Sequence, residues 1–165
     1  MDGVEEGRRG TVSVFDGPPP DIRLVGDDDA EIAAVAAWIR GCHGDGIEPA
    51  SIGILVRSEG QLARARNAVK ASGNDPRAEN GIRIAAMHDA KGLEFRAVAV
   101  MACDEDVLPD PARLAAIGDI AELESAFETE RHLLYVACTR ARDRLLVSGV
   151  EPGSEFLDDL GAAAT

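Results

Sequence analysis

The feature that most constrains the fold is an uninterrupted apolar run, AVAVMAC, at residues 97–103. It is too short for a helix of ordinary length and has polar loops on both sides. That is the pattern of a strand buried on both faces of a parallel sheet. SIGILVR (51–57), IRIAAM (82–87), RLLVSG (144–149) and DIRLV (21–25) predict further strands, and TVSVF (11–15) alternates like a short one. Helical patterns fall between them, at GDDDAEIAAVAAWIRGC (26–42), EGQLARARNAVKASG (59–73) and residues 119–139, with a short last helix in GSEFLDDLG (153–161). In the first helix Asp28 or Asp29 is the expected N-cap and Gly41 the expected stop. Strands alternating with helices predict an α/β fold built on a mostly parallel sheet. Residues 1–10 read as a frayed end and DGPPP (16–20) as a stiff connector, which leaves one domain over 21–165. In such folds function gathers at the C-terminal ends of strands. The polar loops after Val56, Met87 and Cys103 are expected there.

Composition narrows the function classes. The chain has 165 residues and a formal charge of −13, from 30 acidic and 17 basic side chains. A surface of that charge repels nucleic acid as a whole, so any nucleic-acid role must rest on a local site or on a partner that supplies positive charge. No run approaches the roughly 18 apolar residues of a membrane span. The N-terminal MDGVEEGRRG has no apolar core of a signal peptide, so a cytoplasmic location is expected. Cys42, Cys103 and Cys138 are far apart and the histidines are dispersed. Buried free thiols are expected rather than a disulfide or a metal site.

Three stretches carry candidate chemistry. In MHDAKGLEF (87–95), Gly92 lets a backbone approach closely, Lys91 offers a cation and Glu94 can accept from hydroxyls; the alternative is a plain surface loop. In ETERHLLYVACTRA (128–141), Arg140 follows an apolar helix. It either serves the helix dipole or presents a guanidinium to a phosphate. Arg131 lies nine residues earlier, on the opposite side of a continuous helix, and so has a different task. Arg142 and Arg144 read as solvated flanks. VAVMACDED (98–106) ends in acids, like a magnesium-holding strand, but no GxxxxGK[ST] loop is present to cradle phosphates. Solvated acids are the simpler reading.

Taken together, MHDAKGLEF and ETERHLLYVACTRA resemble motifs V and VI of the UvrD/PcrA/Rep-like superfamily 1 DNA helicases, in order and in spacing. IGILVRSEGQLARARNAVKASG (52–73) is similar to the strand and helix that open the family's second motor domain. The resemblance covers about residues 20–150. It implies a RecA-like domain that lacks the phosphate loop and works against a first RecA-like motor domain, with ATP and Mg2+ shared between the two and not bound by this chain alone. It implies that Arg140 reaches the γ-phosphate as a catalytic arginine finger. Gly92 and Glu94 would lie on the nucleotide side, Arg57 would lie near the DNA track, and His88 would contact single-stranded DNA or the network that couples it to ATP. Arg131 and Tyr135 would support the motif VI helix. Motif V spans about 86–95 and motif VI about 128–141.

The chain departs from the pattern in three places. Ala86 stands where a threonine is usual, Glu59 where a neutral residue is common, and only NDPRAENG (74–81) stands where UvrD and Rep carry a large inserted subdomain. The expected function is the second motor domain of an ATP-dependent DNA helicase or translocase, with 3′ to 5′ polarity by family analogy. The parent protein would hydrolyse ATP and the isolated chain would not. The competing expectation is a non-catalytic acidic module of the same fold that binds protein partners.

Overall fold

The computed structural model describes residues 18–164. The TVSVF strand and the frayed end fall outside the described residues. Five strands, β1 (Pro20–Val25), β2 (Ile52–Val56), β3 (Arg83–Ala86), β4 (Phe95–Val100) and β5 (Ala141–Val150), form one sheet in the order β1-β5-β4-β2-β3. Every pairing is parallel. The α/β expectation therefore holds. The helices are α1 (Asp28–Gly44), α2 (Leu62–Ala71), α3 (Pro111–Ala115), α4 (Ile120–Cys138) and α5 (Leu157–Ala164).

The strands are apolar on both sides because helices cover both. On one face Ile52, Ile54, Val56, Ala97, Ala99, Met101 and Leu146 pack with Val35 and Ile39 of α1 and Ala65 and Val69 of α2. On the other, Leu55, Val98, Val100, Leu145 and Val147 pack with Leu134 and Ala137 of α4 and Phe156, Leu157 and Leu160 near the C-terminus. Successive residues of β4 thus alternate between two cores, as the period of a strand requires. Each fully buried Ile, Leu or Val contributes about 1.5–3 kcal/mol, and β2 supplies four of them, Ile52, Ile54, Leu55 and Val56, to β4's Val98 and Val100.

Local chemistry moved several boundaries. Asp27, not Asp28 or Asp29, caps α1: its backbone is extended and its side chain accepts from the Ala30 amide. Gly41 does not stop α1, which runs to Gly44, because one glycine costs a helix only about 1 kcal/mol. Gly73 does follow α2, at φ +94°, a backbone region that glycine enters without penalty. β4 begins at Phe95, two residues before the apolar run, and β5 begins at Ala141, three before the predicted strand. The short α3 was not anticipated among the prolines.

β4 ends in a sharp turn at Ala102, at φ +58°, which is unusual for a residue with a side chain. The buried carboxylate of Glu31 holds it, accepting from the Ala102 amide at 2.8 Å, Ser148 Oγ at 2.6 Å and Arg64 Nη1 at 2.7 Å. Arg64 also donates to both oxygens of Asp104, at 3.2 and 3.0 Å. Asp104 is buried, unlike the solvated acid expected there; Glu105 and Asp106 are exposed.

Candidate functional site

The candidate residues divide between the two edges of the sheet. The connection from β3 to β4 carries no α-helix, only a short 3-10 turn at Met87–Asp89, and it passes β2 to reach its partner strand. It leaves the C-terminal end of β3 and enters the N-terminal end of β4. One loop therefore touches both edges, about 20 Å apart along the strand direction at 3.3 Å per residue. The three loops at the C-terminal ends hold only part of the candidate chemistry; the rest lies opposite.

At the N-terminal edge the structure brings together Gly92, Glu94 and Arg140. Phe95 and Ala141 are register partners where β4 meets β5, and the Phe95 amide donates to the Arg140 carbonyl at 2.9 Å. Arg140 directly follows Thr139, the C-cap of α4. Its guanidinium folds back over that helix end: Nε donates to the Val136 carbonyl at 3.1 Å and Nη2 to Thr139 Oγ1 at 3.0 Å. Nη1 reaches across to the Leu93 carbonyl at 3.4 Å, between Gly92 and Glu94. Three of the five guanidinium N–H groups are thus engaged and two are left for a ligand. Gly92 turns at φ +84°, and a Cβ there would meet nothing within 4 Å. Gly92 and Glu94 are exposed, and Arg140 is half-buried. The result is a fixed cation beside an open backbone turn and a free carboxylate.

At the C-terminal edge lie Arg57 and His88, which follow β2 and β3 where Val56 pairs with Ala86. His88 is exposed, with Nε2 3.5 Å from Asp89. Arg57 is buried at 8% exposure and gives Nε and Nη2 to the two oxygens of Glu130, at 2.8 and 2.6 Å. Glu130 also accepts from the Asp110 amide at 2.8 Å and from Arg113 Nη1 at 3.2 Å. Burial alone opposes its ionisation. The bonds from Arg57 and the Asp110 amide, with the charges of Arg57 and Arg113, outweigh that and hold the carboxyl below its usual range. Arg57 is correspondingly raised, first by its bond to Glu130.

Sequence reasoning missed Glu130, and Glu31 with it. The signal was present. In α4 the buried positions include Ala126, Glu130, Leu134 and Cys138, four apart, so a carboxylate occupies the apolar stripe. In α1, Glu31 precedes Val35 and Ile39 in the same way. A charge on such a stripe demands a partner.

The other arginines of the motif VI stretch are accounted for. Arg131 ion-pairs with Glu128 at 2.9 Å and Asp159 at 3.4 Å and lies 5.1 Å over the Phe156 ring, which fastens α4 to the C-terminal segment. The Tyr135 hydroxyl donates to Asp159 at 3.1 Å. Arg144 is held by Asp45 and is not a merely solvated flank; Arg142 is, with Asp143 at 3.7 Å. All three cysteines are buried and free, and burial pushes Cys138 up to about 12. Among the described residues no cluster suits a metal ion, and no helix is long and apolar enough to cross a membrane.

Comparison with known proteins agrees with the motifs. The UvrD-like helicase C-terminal domain matches residues 65–151, more than half of the chain. YjcD of Bacillus subtilis (strain 168) is 42% identical over 72 residues. The ATP-dependent DNA helicase PcrA of Staphylococcus aureus (strain MRSA252) is 37% identical over 70. Each match covers 42% of this chain and 9% of the relative, so the chain spans a small part of these proteins. The crystal structure of the C-terminal domain of a possible DNA helicase from Lactobacillus plantarum WCFS1 superposes with a TM-score of 0.66 over 98% of this chain and 92% of that one, at 21% identity, a likeness of fold. The chain belongs to the UvrD-like helicase C-terminal domain family.

Proposed function

We propose that this chain is the second motor domain of an ATP-dependent DNA helicase or translocase, with Arg140 as its arginine finger. The observation that carries the reading is the Arg140 guanidinium, fixed between the α4 terminus and the Leu93 carbonyl with two donors unengaged. A first motor domain would supply the phosphate loop and the Mg2+ site. ATP bound there supplies the γ-phosphate. Arg140 neutralises charge on that group, Glu94 accepts from ribose hydroxyls, and Gly92 lets the backbone come close. His88, exposed at the opposite edge, contacts single-stranded DNA. Arg57, two of whose donors serve Glu130, shapes that edge and turns its remaining donors to the strand. Domain closure on ATP would then shift the Arg57/His88 edge along DNA. The 3′ to 5′ polarity rests on family analogy. The direct eight-residue link at 74–81 makes this a compact motor domain without the large insertion, and the cytoplasm is where such a motor would work.

The test is the DNA-stimulated ATPase of the whole protein carrying Arg140→Ala. An arginine finger is worth roughly 10³–10⁵ in rate, so kcat falls at least a thousandfold while KM for ATP changes little. Turnover near wild type would show that Arg140 only caps its helix.

A further inference from the structure

The arginines of the described residues fall into two groups. Among the described residues, Arg23, Arg57, Arg64, Arg96, Arg113, Arg131, Arg142 and Arg144 each pair with a carboxylate. Arg40 donates to the Ala71 carbonyl and Arg140 to those of Val136 and Leu93. The side chains of Arg66, Arg77 and Arg83 have no such partner, and all three line one cleft of about 310 Å³. They come from three separate places: Arg66 from α2, Arg77 from the link between α2 and β3, and Arg83 from the first residue of β3. All are exposed, and Glu79 is the only acid lining the cleft.

In a chain of charge −13, carboxylates are abundant. Three unpaired guanidinium groups converging on one cleft are a local reversal of the molecule's field, the kind of site an acidic surface needs in order to hold a polyanion. We propose that this cleft binds the phosphodiester backbone of a nucleic-acid strand, a contact separate from His88 and Arg57. The lining favours phosphate over a protein surface. Protein interfaces are centred on apolar and aromatic side chains. Here no aromatic residue lines the cleft, and of its larger apolar residues Leu62, Pro76 and Ile84 are half-buried and Ile82 is buried. A guanidinium fork fits two phosphate oxygens at once. With nothing to stack on bases, the contact is to the backbone and carries no sequence preference.

Position supports the same occupant. β3 is an edge strand of the sheet, Arg83 opens it and His88 follows its end. Its four residues span about 10–13 Å, so a strand of nucleic acid lying along this free edge reaches the cleft and His88 together. The choice of nucleic acid among polyanions rests on the function proposed above.

The experiment follows the guanidinium Nε–H signals of Arg66, Arg77 and Arg83, and the amide of His88, by NMR. The 165-residue chain is titrated with oligo-dT of about twelve nucleotides, a length typical of one single-strand binding fold, at several salt concentrations. The expected result is that the three Nε signals shift with one common Kd. Its log–log dependence on salt should be about +2, near 0.7 for each of three phosphates, as counterion release weakens binding with added salt. The chain carrying R66Q, R77Q and R83Q together should bind at least tenfold more weakly, with its other amide signals unmoved. Shifts confined to residues 88–94, with the cleft silent, would overturn the cleft and leave the proposed function standing. Silence at both places would count against both. Polyglutamate of equal length shifting the same signals at an equal or lower Kd would assign the cleft to an acidic protein.

Discussion

At the scale of single residues, Glu130 ties the two edges into one body. It sits in the middle of α4, receives Arg57 from the end of β2, and lies on the helix over whose C-terminal end Arg140 folds back. Removing one partner of a buried pair leaves the other charge uncompensated, at a cost of about 3–5 kcal/mol. Glu130→Ala should therefore lower unfolding free energy by that order in urea titration, and Glu130→Gln by less, since the amide still fills the site. The pH dependence has a definite sign. The folded carboxyl titrates below its ordinary value, so its contribution is fully present above the unfolded pKa of about 4.3 and is lost as pH falls through the folded value. Wild type should lose stability on acidification below about pH 4.5, and Glu130→Gln should show a flatter curve over the same range. Equal slopes for the two proteins would mean that the carboxyl titrates alike in both states.

At the scale of elements, β2 and β4 are coupled through a missing side chain. A Cβ on Gly53 would lie 2.6 Å from Cε2 of Phe95, inside van der Waals contact with a buried ring. Gly53→Ala must push Phe95, whose amide is bonded to the Arg140 carbonyl. Overpacking of this kind costs about 1–3 kcal/mol. The variant should melt several degrees lower, and in the whole protein it should slow ATP turnover further than the melting loss accounts for. A variant that melts lower with unchanged turnover would separate Phe95 from the Arg140 edge. Much of this architecture was legible in the chain. The unbroken apolar run of β4 and the period of α4 announced a doubly covered parallel sheet, because burial on both faces leaves no alternating pattern. The boundaries were less legible. Asp27, Asp28 and Asp29 are equivalent as cap chemistry, and only the extended backbone at Asp27 selects it. The route of the 87–94 loop, which separates His88 from Glu94, depends on strand order, and strand order leaves no local mark in the sequence.

At the scale of the whole molecule, the proposed function gives the chain one side of a nucleotide site, and its sequence holds no GxxxxGK[ST] phosphate-binding loop. The residues expected to act on the nucleotide lie at the N-terminal edge, where Arg140 meets a turn rather than an enclosed pocket. An open edge of this kind gains function only by being closed from outside. That explains why the motifs were legible and their geometry was not: MHDAKGLEF and ETERHLLYVACTRA state the chemistry, and the fold decides which edge each residue joins. The purified 165-residue chain is accordingly expected to show no ATP turnover, with or without single-stranded DNA, in a coupled assay. Turnover should appear only when the parent's first motor domain is added. Two separate chains lack the effective concentration that a linker supplies, in the millimolar range when short and flexible. Activity should therefore rise with the concentration of this chain well beyond stoichiometric mixing, and Arg140→Ala should abolish the rise. ATP turnover by this chain alone would place a complete site within it. A first domain indifferent to the added chain would favour a module that binds proteins instead.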